Sequence, residues 1–218
     1  FLKPGAGATV AASGDFIVQP GGGAGSVLRQ PRIGLYRSHL ANMDEGWTRW
    51  VLEQYEFSYR TLTDKDMRSG DLSGLDIILF ADEEEDRILN GHRAGTMPPE
   101  FAGGIGVEGA AALKRYVENG GWVFAWDGAA DFAISTFGLP LRNTVRNVRD
   151  TDFFIPGSLV RLDTKPSSPL AAGVPEQAIA FFVQSQAFSV IPAASEGKQR
   201  IERDIEVFAS YASKDFLA

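Results

Sequence analysis

The chain has no cysteine among its 218 residues. That absence removes disulfides, thiolate nucleophiles and cysteine-bound metals together. It leaves the compartment open, because a reduced cytosol and a disulfide-free periplasm both accommodate such a chain. Histidine is nearly as scarce. His39 and His92 are the only two, and neither is followed by a glutamate at ligand spacing, so no local zinc motif exists. Basic excess is missing too: 21 Lys and Arg stand against 28 Asp and Glu, a formal net charge of −7. A nucleic-acid partner would want a basic face, so none is expected. No apolar run approaches the roughly 18 residues that suggest a membrane span. The Gly-x-Ser-x-Gly elbow of serine hydrolases is absent as well.

What is present is globular. Hydrophobic residues make up 44% and charged residues 22%, values that a packed core requires and a disordered chain lacks. Residues 1–30 read as a connecting tail: a short strand at Gly14–Val18, then a flexible glycine-rich linker, Pro20–Gly25. Residues 31–218 read as one α/β domain, expected to be part of a longer polypeptide.

The most informative stretch is Val107–Phe137. Ala110, Leu113 and Val117 recur at helical spacing, and Asn119-Gly120-Gly121 stops that helix because glycine accepts the left-handed conformation of a C-cap. Trp122–Trp126 then runs apolar without alternation, which predicts a strand covered on both faces. Asp127-Gly128 turns the chain into a second helix, Ala129–Phe137. Upstream, Arg32–Tyr36, Phe57–Thr61 and Leu75–Phe80 read as strands. Asp44 is placed to cap a helix whose Trp47, Trp50, Val51 and Tyr55 form a stripe expected to be core. This alternation predicts a flavodoxin-like open, mostly parallel sheet with helices on both faces. After Leu139-Pro140 the texture changes, and short strands near 160–163, 180–183, 188–190 and 204–211 predict β-rich additions in the C-terminal third.

Ligands of such sheets sit beyond the carboxyl ends of the strands, where the winding reverses. Four segments converge there: 37–44, 82–86, 103–106 and 127–128. The expected cleft therefore holds Ser38, Asp44, Glu45, Glu83, Gly104, Asp127 and Gly128. The catalytic candidates are Asp127, as nucleophile or base, with Glu83 or His92 as its partner. The alternative for Asp127 is to accept hydrogen bonds from the amides that open the next helix. Clustered Glu83–Asp86 suits a hard cation or simple solvation, and no metal or other cofactor is assigned. Gly103–Gly106 reads as a loop hinge more than as an anion cradle.

Several longer segments resemble a known family. Asp44–Glu53, Ile88–His92, Gly95–Glu100 with Gly103–Gly106, and Asp152–Ser158 are similar to a class I glutamine amidotransferase-like domain. That domain lies C-terminal to the catalytic domain of certain bacterial zinc carboxypeptidase-like proteins. The likeness spans roughly Pro31–Tyr211 and implies an upstream peptidase domain as partner and a periplasmic or secreted location. True class I amidotransferases carry a cysteine on the elbow and a histidine and glutamate from a later segment. Here the elbow reads Asp127-Gly128-Ala129, and no histidine follows residue 92. The resemblance thus implies a non-catalytic accessory domain that binds or positions a ligand or partner. A hydrolase using the carboxylates around Asp127 is one alternative. A structural or dimerising module is another, with a homodimer as partner and Phe153-Phe154 to Phe181-Phe182 as the apolar patch.

Overall fold

A computed structural model describes residues 30–171, 173–192 and 205–217, with the backbone alone of 7–10 and 16–19. The expected linker at Pro20–Gly25 lies outside the described residues. The chain divides into two compact units, 1–138 and 139–218.

The first unit opens with an antiparallel pair, β1 (Gly7–Val10) and β2 (Phe16–Gln19). Its body is a four-stranded parallel sheet of β3 (Ile33–Tyr36), β4 (Tyr59–Leu62), β5 (Ile77–Phe80) and β6 (Trp122–Ala125), in the order β4-β3-β5-β6. The winding reverses after β3, as in flavodoxin-like sheets. The crossovers are α1 (Met43–Gln54), α2 (Asp64–Ser69), and α3 (Glu85–Asn90) with α4 (Gly106–Glu118); α5 (Gly128–Phe137) follows β6.

Local chemistry sets these helix ends. Asn42, not the expected Asp44, caps α1, its side-chain oxygen accepting from the Asp44 and Glu45 amides at 2.9 and 3.1 Å. Thr63 and Asp66 form a reciprocal capping box on α2, which ends on left-handed Gly70. Helix α3 carries Glu85 and Asp86 of the acidic run in its first turn, where acidic groups favour the macrodipole.

One face of the sheet is closed. Tyr36, Leu62, Ile78 and Phe80 pack with Met67 of α2, Leu113 of α4 and Phe132 of α5, all essentially buried. The other face is only half covered. Register places Ile33, Ile77 and Trp122 in one row and Leu35, Leu79 and Phe124 in the next. Leu35 is 0% exposed, whereas Phe124 is 41% and Trp122 60% exposed. Trp122–Trp126 is therefore not a strand covered on both faces. It is the outer strand of the sheet, and its large residues alternate outward.

Helix α1 explains the gradient. It meets the sheet through Glu45 and Arg49, which pair with each other, and the Arg49 guanidinium donates to the Tyr59 hydroxyl at 3.3 Å and the Thr61 hydroxyl at 3.4 Å. Tyr59 and Thr61 share the half-covered face, so α1 lies over β3 and β4 with its polar side inward. Trp47, Trp50, Val51 and Tyr55, expected in the core, face away and are each about half exposed.

The second unit contains a three-stranded antiparallel sheet, β11 (Ala209–Tyr211), β8 (Ser158–Thr164) and β9 (Gln177–Phe182), and a separate pair, β7 (Leu141–Asn143) with β10 (Phe188–Val190). A chain of ring contacts runs through it: buried Phe182 meets Phe153 and Tyr211, and Tyr211 in turn meets Phe216. The expected Phe153–Phe182 patch splits between the faces. Phe182 is buried, while Phe153, Phe154 and Phe181 are exposed.

Candidate functional site

Strand β6 ends in a sharp turn at Asp127, which takes φ 50° and ψ −122° before α5 begins at Gly128. A positive φ is costly for a residue with a side chain and persists only where the surroundings impose it. This is the strand-turn-helix geometry that raises a nucleophile above a sheet in elbow enzymes, where the amide of the following residue helps to form the oxyanion hole. Gly128 supplies that amide here. It donates to the Asp82 carboxylate oxygen Oδ1 at 2.8 Å. A Cβ on Gly128 would lie 2.9 Å from that oxygen and 3.4 Å from the Glu83 backbone, so glycine is what lets the elbow and the turn after β5 close on each other.

The Asp127 side chain makes no capping hydrogen bond to α5. The alternative expected of it, capping the next helix, is taken at Gly128 by Asp82. No signal in the residues around Asp127 indicates this. Asp82 is one of five consecutive acidic residues, and only strand register brings it beside Gly128.

The turns after β3 and β5 form a second polar cluster. Ser38 donates from Oγ to Glu83 Oε1 at 2.7 Å, and both residues are buried. Arg87, one turn into α3, stands 3.6 Å from the same oxygen. Asn42 donates to the Asp82 carbonyl at 2.9 Å, and Arg87 donates to the Ala41 carbonyl at 3.0 Å. Burial pushes the Glu83 carboxyl above its ordinary value, with Ser38 and Arg87 pulling the other way. Next to this cluster, Tyr36 donates to Asp64 Oδ1 at 2.7 Å, while Asp64 Oδ2 is buried without a hydrogen-bond partner. Burial raises the Asp64 carboxyl, opposed by Tyr36, His39 and Arg68. The Tyr36 hydroxyl is raised strongly, first by burial and then by Asp64.

The remaining expected residues are distributed differently. Asp44 is exposed in the first turn of α1, and Glu45 is buried against Arg49. His92 lies 3.2 Å through Nε2 from the His39 carbonyl and pairs with Gly103 across an isolated bridge. Gly104 is packed under α3, where a Cβ would stand 2.2 Å from the Ile88 carbonyl oxygen. Its carbonyl accepts from Arg68. The expected cleft set thus separates into an elbow pair (Asp127, Gly128), a buried pair (Ser38, Glu83), a helix pair about α1 (Asp44, Glu45) and a packing glycine (Gly104). Among the described residues, no group of three or more His, Asp or Glu is arranged to hold a metal ion. Within the acidic run, Glu85 accepts from Ser135 and Asp86 from Asn90.

Comparison with known proteins adds shape alone. No protein-family model matches the chain, and no curated protein matches it. Solved structures that resemble it include these two. One is a Thermoplasma acidophilum protein assigned as part of a GMP synthase, at 13% identity over 85% of this chain and 75% of that one, with a TM-score of 0.49. The other is a ThuA-like protein from Bacteroides uniformis, at 14% identity over 88% of this chain and 72% of that one, with a TM-score of 0.46. Neither likeness is close enough to fix a family or an activity. The flavodoxin-like assignment stands on the strand order itself.

Proposed function

We propose that this chain is a non-catalytic amidotransferase-like domain, an accessory module of a zinc carboxypeptidase-like protein that binds or positions a ligand or partner. The observation that carries the non-catalytic part is the hydrogen bond from the Gly128 amide to Asp82. An acyl-transfer elbow needs a nucleophile at its tip and a free amide behind it to stabilise the developing oxyanion. This elbow has a carboxylate at the tip and a second carboxylate on the amide. An incoming carbonyl would have to displace Asp82 and would then meet two negative charges. The carboxypeptidase setting rests on the resemblance of the four sequence segments alone.

A hydrolase built on cleft carboxylates is the weaker reading. Its acid-base partner would be Glu83, a buried carboxyl with a raised pKa, as general acids often are. That oxygen is already engaged by Ser38 and faces Arg87.

The test is direct. Purified chain is incubated with glutamine and, separately, with peptide substrates, and ammonia and new amino termini are measured against Asp127→Ala. No turnover above buffer is expected from either protein. Hydrolysis that disappears in Asp127→Ala would end the non-catalytic reading and establish the carboxylate hydrolase.

A further inference from the structure

The half-covered face of the parallel sheet is an apolar surface that the described residues of its own unit leave open. Parallel sheets are ordinarily buried on both faces, yet here α1 shields β3 and leaves β6 open. Trp122, Phe124 and Trp126 project from the open half at 60, 41 and 40% exposure, and Trp47, Trp50 and Tyr55 of α1 are exposed at 56, 51 and 52%. Aromatic side chains bury roughly 150–250 Å² each when fully covered. At about half exposure these six leave roughly 600 Å² of apolar surface in water, close to the ~800 Å² that each partner contributes to a standard interface. An apolar surface of this size stands at the top of the range a monomer shows, and such surfaces are often functional.

We propose that this face is the interface of a two-fold homodimer in which each copy's α1 covers the other copy's β5 and β6. The shape of the face favours a second copy over an unrelated partner. It carries one ridge, α1, beside one bare trough in the sheet, and a two-fold axis lays each ridge into the other's trough. The orientation of α1 fits as well. Its polar side, Glu45 and Arg49, is spent on its own sheet, which turns its aromatic stripe outward, where no described residue of its own unit buries it. This inference does not depend on the reading of the elbow.

The absence of cysteine makes the test clean. Sedimentation equilibrium of the full chain should show a dimer. The double substitution Trp122→Ser with Phe124→Ser should weaken it about a hundredfold, the effect of removing central anchors, with the far-ultraviolet spectrum unchanged. Should that double variant unfold, cross-linking decides: Val51→Cys chains are mixed with Phe124→Cys chains and treated with a short thiol-specific cross-linker. A covalent heterodimer supports the proposal. A monomeric chain would overturn it and give the face to some other partner. So would a dimer that survives the double substitution, or one that is lost on Phe181→Ser in the second unit. A dimer without the 51–124 cross-link would overturn it too.

Discussion

The two faces of one sheet share their strands and differ in everything else. On the closed face, Phe80 meets Tyr36 and Phe132 at centroid distances of 4.8 and 5.4 Å, and all three residues are essentially buried. On the open face, residues of the same size and hydrophobicity stand in water. Composition is therefore not what makes a core. The closed face is a core because α2, α4 and α5 bring apolar stripes to it, whereas α1 brings a glutamate and an arginine to the other.

Substitution should sharpen that contrast. The largest expected effect is on the closed face. Phe132→Ala should cost about 3–5 kcal/mol in urea unfolding, since it removes a fully buried ring and leaves a cavity; a cost near zero would mean the face is not packed as described. Next comes Asp64, at the rim of the same core. Its folded carboxyl is raised above its unfolded value, so the native state holds the proton more tightly, and stability falls as pH rises through the folded pKa. Asp64→Asn keeps an acceptor for Tyr36 and cannot ionise. It should gain about 1–3 kcal/mol at neutral pH, with the gain vanishing in acid; a pH-independent difference would contradict a buried carboxylate left unsatisfied at Oδ2. A smaller coupling is expected at the elbow. In a double-mutant cycle, Gly128→Ala and Asp82→Ala should be sub-additive by about 0.5–3 kcal/mol, because the added methyl clashes only while the Asp82 carboxylate is there. The least effect belongs to the open face, where Phe124 is already 41% exposed and Phe124→Ser should cost the monomer only about 1 kcal/mol.

The same contrast shows which parts of the molecule the sequence discloses. Strands β3, β4 and β5 and the helix-stop-strand-turn-helix run through Phe137 are legible, because apolar period and glycine stops report local geometry. The change of texture at Leu139 coincides with the start of the second compact unit. What stays hidden is direction. The stripe Trp47, Trp50, Val51, Tyr55 has the spacing of a core helix, but spacing cannot say which side of a helix meets the sheet; the Glu45–Arg49 pair and its contacts to β4 decide that. Trp122–Trp126 likewise reads as central, because an outer strand with a sticky face and an inner strand share one composition. In the site, the position of Asp127 at a turn is legible from its strand-glycine setting. The partnerships Asp82–Gly128, Ser38–Glu83 and Tyr36–Asp64 join residues 28 to 46 positions apart, and no local pattern encodes them.

The elbow, finally, is where shape and chemistry part company, and one reactivity series measures it. Asp127→Cys places the chain's single thiol at the tip, and its alkylation rate by iodoacetamide reports how well the turn stabilises a thiolate. Adding Asp82→Asn removes the neighbouring charge while leaving an acceptor on the Gly128 amide; adding Asp82→Ala removes both. The Asp82→Ala protein should react fastest, about tenfold ahead of Asp82→Asn, because only there is the amide released to the sulfur. Equal rates for the two would contradict it, showing that Asp82 does not occupy the elbow amide.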